Sequence, residues 1–210
     1  GAALREHGYT LGHFPQSFEY STVGGWVVTR SSGQQSLRYG RIEQLFAGGH
    51  LETPVGPLHI PTFPASSAGP DLRELVLGSE GRFGVLTDAT VRVTPLPEHH
   101  SFHAIFLPDW DAAEDAVRTL VQRKLPLSMM RLSNGIETET NLTLAGHAAL
   151  IGAMEKYLGI RGCGEGKCML MLGVSGDTRG ARFALKEARE HLAKFGAVYI
   201  GTAMGSKWAA

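Results

Sequence analysis

Two glycine-rich segments constrain this chain more than anything else in it. Residues 21–33 read Ser-Thr-Val-Gly-Gly-Trp-Val-Val-Thr-Arg-Ser-Ser-Gly, and residues 78–87 read Gly-Ser-Glu-Gly-Arg-Phe-Gly-Val-Leu-Thr. Glycine leaves backbone N–H groups uncovered and permits positive φ, so paired glycines flanked by Ser and Thr let main chain and hydroxyls come close to a phosphate or a ring edge. Each segment also has a plainer reading. Gly24-Gly25 alone suits a bulge or tight turn, and Gly78-Ser79-Glu80-Gly81 suits a helix C-cap followed by a turn.

Composition narrows the partners. The chain has 210 residues, enough for one large or two small domains. Lys+Arg and Asp+Glu are both 20, a balance that favours neither nucleic acid nor an anionic membrane as partner. No apolar run of membrane-spanning length and no signal peptide are visible, which predicts a soluble, cytoplasmic protein. Cys163 and Cys168, with four residues between them, lack the spacing of a redox or zinc pair and read as reduced thiols in a glycine-rich loop. His99, His100 and His103 follow Pro95 and Pro97 in an extended stretch, where helical ligand spacing does not apply, and read as a wet domain junction. No metal site is predicted.

The apolar, β-branched run at 23–30 predicts a strand or buried extended segment that ends at Gly33. Short strands are expected at 42–47 and 51–57, joined by Gly48-Gly49, with a second turn at Pro54-Val55-Gly56. A Pro/Ser loop at 63–68 precedes Asp71, which is placed to cap a short helix at 72–77. Alternation over 85–93 gives a half-buried strand that Pro95-Leu96-Pro97 terminates, so the domains are expected at 1–97 and 98–210. The second half changes rhythm. Strands are expected at 102–107, 127–132, 168–174 and 197–200, with helices from Asp109, at 145–158 and at 178–195. That order predicts an α+β domain of ferredoxin-like type with one added helix.

The pattern S-T-V-G-G-W-x-x-T-R-x-S-G, then Tyr39-Gly40, then Gly69-Pro70-Asp71 leading to G-S-E-G-x-x-G-V, resembles the flavin-binding core of FAD-linked oxidases of the vanillyl-alcohol oxidase type. Within that superfamily the chain is most similar to the alkyldihydroxyacetonephosphate (alkylglycerone-phosphate) synthase branch. Trp26, Thr29-Arg30, and Arg131 at the end of Pro126-Leu127-Ser128-Met129-Met130-Arg131-Leu132 carry that likeness. D-lactate and glycolate dehydrogenases usually have an acidic residue where Arg131 stands. The resemblance implies the second half of a VAO/PCMH-type FAD-binding domain followed by a ferredoxin-like α+β cap. Its cofactor would be FAD, contacted by Pro15, Ser17, Ser21, Thr22, Gly24, Gly25, Trp26, Thr29, Ser32, Gly33, Tyr39, Gly40, Glu80, Gly81, Gly84 and Val85. Gln16 stands where the family often has an acid, and Arg82-Phe83 where it usually has Thr-Leu.

The resemblance further implies exchange of the acyl group of acyl-dihydroxyacetone phosphate for a fatty alcohol through a flavin adduct, with Arg131 gripping the substrate phosphate. No catalytic residue is expected within the chain, because the family's acid/base Tyr and His lie downstream and its first pyrophosphate loop upstream. The start at Gly1 and the end in Gly205-Ser206-Lys207-Trp208-Ala209-Ala210 read as those of a fragment. Two alternatives stand beside this: an FAD-dependent D-2-hydroxy-acid dehydrogenase, and a fragment that binds a ligand or partner without catalysis. The substrate is then a small lipid or a 2-hydroxy acid. A lipid substrate leaves room for peripheral membrane contact, and a homodimer is compatible with the pattern. From the residues alone, Arg131 also suits an ion pair with Glu137 or Glu139.

Overall fold

The computed structural model describes residues 1–64, 67–146 and 148–202, with the side chain of residue 148 excluded. Residues 65 and 66 of the Pro/Ser loop, residue 147 and the tail from 203 onward lie outside it. The chain divides into two compact units, Gly1–Leu96 and Pro97–Ala210.

In the first unit, α1 (Ala2–Glu6) leads into β1 (Tyr9–Thr10), a single turn at Phe18–Tyr20 and α2 (Val23–Val28). Then come α3 (Ser36–Tyr39), α4 (Ile42–Leu45), β2 (Phe46–Thr53), β3 (Gly56–Ile60), α5 (Leu72–Val76), β4 (Val85–Val91) and β5 (Thr94–Pro95). The sheet β3-β2-β4 is antiparallel throughout. Its core joins Trp26 and Val27 of α2, Ile42 and Leu45 of α4, Phe46, Leu51 and Ile60 of the sheet, and Val76 and Leu77 around the end of α5.

Three expectations for this unit are overturned. Residues 23–28 are helical, not extended: the Thr22 hydroxyl accepts from the Gly25 N–H at 3.0 Å, and burial of Trp26 and Val27 outweighs the β-branched bias of so short a run. Residues 42–45 form a helical turn, at whose start the Arg41 N–H donates to Gln44 Oε1 at 2.9 Å. Gly48-Gly49 lies inside β2 and is no turn. A Cβ on Gly48 would stand 2.5 Å from the Ile60 carbonyl oxygen, and one on Gly49 2.3 Å from that of Asp88. The glycines are needed there because neighbouring strands press on the backbone from both sides.

The second unit runs β6 (His99–Leu107), α6 (Trp110–Gln122), β7 (Leu127–Ser133), α7 (Gly135–Leu144), α8 (Ala148–Ile160), β8 (Cys168–Gly176), α9 (Thr178–Ala193) and β9 (Val198–Gly201). Its antiparallel sheet has the order β7-β8-β6-β9, the ferredoxin-like arrangement with two helices inserted between the second and third strands. One helix was expected there, at 145–158. The additional helix α7 starts at Asn134, whose Oδ1 accepts from the Glu137 N–H at 2.8 Å.

All nine residues of β8 are buried because alternate side chains enter two cores. Cys168, Leu170, Leu172 and Val174 pack with α6 and α9, while Met169 and Met171 pack with Leu142 of α7 and Leu158 of α8. Cys163 and Cys168 are buried free thiols, and burial pushes both thiols up from their ordinary pKa. The histidine stretch is not a wet junction at its inner end. His103 is 4% exposed and shares hydrogen bonds with Ser101 and, at 2.8 Å, with the Tyr199 hydroxyl.

Candidate functional site

The two glycine-rich segments meet in the first unit. The carbonyls of Val27 and Val28, at the end of α2, accept from the N–H groups of Gly78 at 3.3 Å and Glu80 at 2.8 Å. Arg30, held at φ 50°, donates through Nε to the Leu77 carbonyl at 3.2 Å and pairs with Glu74. The second segment then turns through three residues of positive φ, Gly78 (74°), Glu80 (53°) and Gly81 (79°). Gly84 closes the turn so tightly that a Cβ would lie 2.0 Å from the Glu52 carbonyl oxygen. Both segments are thereby fixed to one small core, with Glu80, Gly81 and Val85 left exposed.

Trp26 anchors the other side. Its indole Nε1 donates to Ser21 Oγ at 2.7 Å, and Ser21 Oγ donates to the Ser17 carbonyl at 2.6 Å. The ring stacks on Phe18 at 5.8 Å and tilts against His13 at 5.2 Å. The loop carrying Pro15 and Ser17 is tied in through the Gln34 N–H, which donates to the Phe14 carbonyl at 3.0 Å; a Cβ on Gly33 would collide with the Phe14 nitrogen at 2.7 Å. Tyr39 leans on Gly12, where a Cβ would come within 2.2 Å of its ring, and Gly40 (φ 88°) ends α3.

Among the expected cofactor contacts, Ser17, Thr22, Thr29 and Ser32 are exposed, and Ser21, Gly24, Gly25, Gly33, Tyr39, Gly40 and Gly84 are half-buried. Pro15 and Trp26 are buried. The Thr29 hydroxyl is turned back onto the Gly25 carbonyl at 2.8 Å. Four side-chain polar atoms of the same unit, His13 Nδ1, Gln35 Oε1, Glu43 Oε2 and Thr94 Oγ1, are buried with no hydrogen-bond partner among the described residues. Burial holds the His13 imidazole below its ordinary pKa.

Arg131 belongs to the second unit, on β7. Its Nη2 donates to Glu137 Oε1 at 2.7 Å, and that guanidinium, more than the smaller help from Ser133 and Asn141, holds the Glu137 carboxyl below its usual range.

Sequence reasoning passed over a row on the β3-β2-β4 sheet. His59 Nδ1 lies 2.7 Å from His50 Nε2, and His50 Nδ1 lies 2.8 Å from Asp88 Oδ2. The signal is strand register, because His59 and Asp88 both stand opposite His50, and that is invisible until the partners are known. Among the described residues no cluster of His, Cys, Asp or Glu has the geometry of a metal site, and no helix is long and apolar enough to cross a membrane.

Comparison with known proteins gives the family. Residues 1–59 match the model of the FAD binding domain, and residues 96–207 match that of the FAD linked oxidases, C-terminal domain. The alkyldihydroxyacetonephosphate synthase of Dictyostelium discoideum is 30% identical over 98% of this chain and 35% of its own length. That of Trypanosoma brucei brucei is 30% identical over 98% of this chain and 34% of its own. A solved alkyldihydroxyacetonephosphate synthase superposes with a TM-score of 0.86 at 31% identity, covering 98% of this chain and 38% of the other. The chain thus spans about a third of the length of these relatives.

Proposed function

Because the chain belongs to the FAD-linked oxidases, we propose that it is part of an FAD-dependent enzyme resembling alkyldihydroxyacetonephosphate synthase, which replaces the acyl group of an acyl-dihydroxyacetone phosphate with a fatty alcohol. The first unit is the cofactor-bearing part, and the second is the cap that holds substrate. The observation that carries this reading is the convergence of the two glycine-rich segments through the Gly78 and Glu80 N–H bonds to Val27 and Val28.

The residues present fit an isoalloxazine and its ribityl chain. At exposed Gly81 the nearest atom to where a Cβ would stand is the Gly84 carbonyl oxygen at 3.9 Å, so a flat ring can approach the backbone there. The hydroxyls of Ser17, Thr22 and Ser32 offer donors and acceptors, and His13 Nδ1 and Gln35 Oε1 are buried polar atoms for which a bound ligand or water would supply a partner. FAD, when bound, supplies an electron-poor ring that can take and return an electron pair. The chain's own part would be to hold that ring, with Ser21 fixed by the buried Trp26 indole and with the exposed Glu80, Gly81 and Val85 as candidate contacts.

On this proposal Arg131 meets the substrate phosphate. A guanidinium grips phosphate through paired N–H bonds, and Arg131 Nη2 already gives one such bond to Glu137. Substrate must therefore share the fork with Glu137 or displace it, and either would hold the phosphate in one orientation.

Neither of the segments 21–33 and 78–85 contains a His or Cys to tether a flavin, and a noncovalently held cofactor is the expectation. Acid precipitation of the purified enzyme is expected to release yellow flavin into the supernatant. Flavin that stays with the pellet would contradict the cradle described here.

A further inference from the structure

The second unit carries a basic groove at the β9 edge of its sheet, the edge opposite β7 and Arg131. The groove measures about 650 Å³ and lies between the end of α8, α9 and β9. Arg182, Lys186 and Arg189 stand on one face of α9, at spacings of four and three residues. Arg161 follows α8 and faces them, and Tyr157 and Tyr199 supply aromatic walls. The one carboxylate lining the groove, Glu190, lies 3.8 Å from Lys186. No carboxylate partners Arg161, Arg182 or Arg189 among the described residues.

Two of these guanidiniums are positioned by aromatic contacts. Arg189 lies 4.1 Å over the Tyr199 ring, whose hydroxyl is anchored inward on His103 at 2.8 Å. Arg161 donates to the Tyr157 hydroxyl at 3.1 Å. Stacking and hydroxyl bonds orient a guanidinium without neutralising it, so the groove holds four cations against one carboxylate, and three of the four are arginines, the side chain best shaped to grip a phosphate.

We propose that this groove binds a phosphate group carried on an organic ligand, at a site separate from the substrate position assigned to Arg131. The phosphate would lie between Arg182 and Arg161, and the carbon skeleton it carries would lie against Tyr157 and Tyr199. The same chemistry serves a soluble phosphate monoester and a phosphomonoester lipid headgroup.

The test titrates the protein with glycerol 3-phosphate by calorimetry and, separately, measures its sedimentation with phosphatidylcholine vesicles made with or without phosphatidic acid. The comparison is the double variant Arg182→Gln/Lys186→Gln, two exposed helix positions whose replacement leaves both cores intact. Binding to either probe that weakens roughly tenfold or more in the double variant, and weakens likewise with added salt, supports the proposal. Response to glycerol 3-phosphate identifies a soluble ligand, and response to phosphatidic acid alone a headgroup. Failure to bind either probe, or equal binding by the double variant with its fold intact by circular dichroism, would overturn it.

Discussion

Arg131 has a carboxylate partner and a proposed substrate, and these make different demands on its shape. Its side chain is 43% exposed and that of Glu137 41%, so the pair between them is screened by water and contributes little to stability, about 0–1 kcal/mol. A phosphate can be gripped by two parallel N–H bonds of the planar fork. Arg131→Lys keeps the charge and loses the fork. We expect it to lower turnover on a dihydroxyacetone-phosphate substrate at least tenfold in the enzyme, with flavin content and melting temperature unchanged. A fall of several degrees in melting temperature with turnover intact would make Arg131 a structural partner of Glu137.

At the scale of elements, the β6–β9 edge stores a pH dependence. Burial first, then the charges of His99 on β6 and Arg189 on α9, push the His103 imidazole down to about 4 from its ordinary 6.5. Between those values the unfolded chain binds a proton that the folded chain refuses, so stability is full above pH 6.5 and falls as the pH drops towards 4. The loss from this residue reaches at most about 3 kcal/mol. His103→Gln removes the titration, so urea unfolding at pH 7 and pH 4.5 should show a smaller drop in the variant than in the native chain. Equal drops would mean that His103 titrates freely.

How much of these elements was legible follows from where their causes lie. Asp71 and Asp109 cap helices as read, because an N-cap bond is local: Asp71 accepts from the Arg73 N–H and Asp109 from the Ala112 N–H. Residues 23–28 misled because Val23, Val27 and Val28 favour a strand, whereas the deciding events are the Thr22 cap and the burial of Trp26 against distant residues. Gly48-Gly49 has the composition of a turn, and only the strands on either side show why glycine is required. The positive φ of Gly78, Gly81 and Gly84 agrees with what their glycines permit, but the bonds that join the two glycine-rich segments through Val27 and Val28 could not be read from the sequence. The cations of α9 passed unnoticed because their significance depends on Arg161, which the fold brings to them from the end of α8.

Across the whole molecule, the separation of roles is physical. The first unit surrounds one small core with exposed glycine backbone and hydroxyls. The second is a four-stranded sheet with a core on each face and cations at opposite edges, Arg131 on β7 and the groove at β9. On the proposed function the first would hold a planar cofactor and the second anionic groups at two separate places. Group exchange on a dihydroxyacetone-phosphate ester, the activity proposed above, is read from the products. Purified enzyme is incubated with acyl-dihydroxyacetone phosphate and a deuterated long-chain alcohol, and the lipids are resolved by mass spectrometry. An alkyl ether carrying the deuterated chain is expected, with free fatty acid released in equal amount and no net reduction of the flavin. Absence of the ether, together with bleaching of the flavin by D-lactate or another D-2-hydroxy acid, would contradict it and make the enzyme a dehydrogenase.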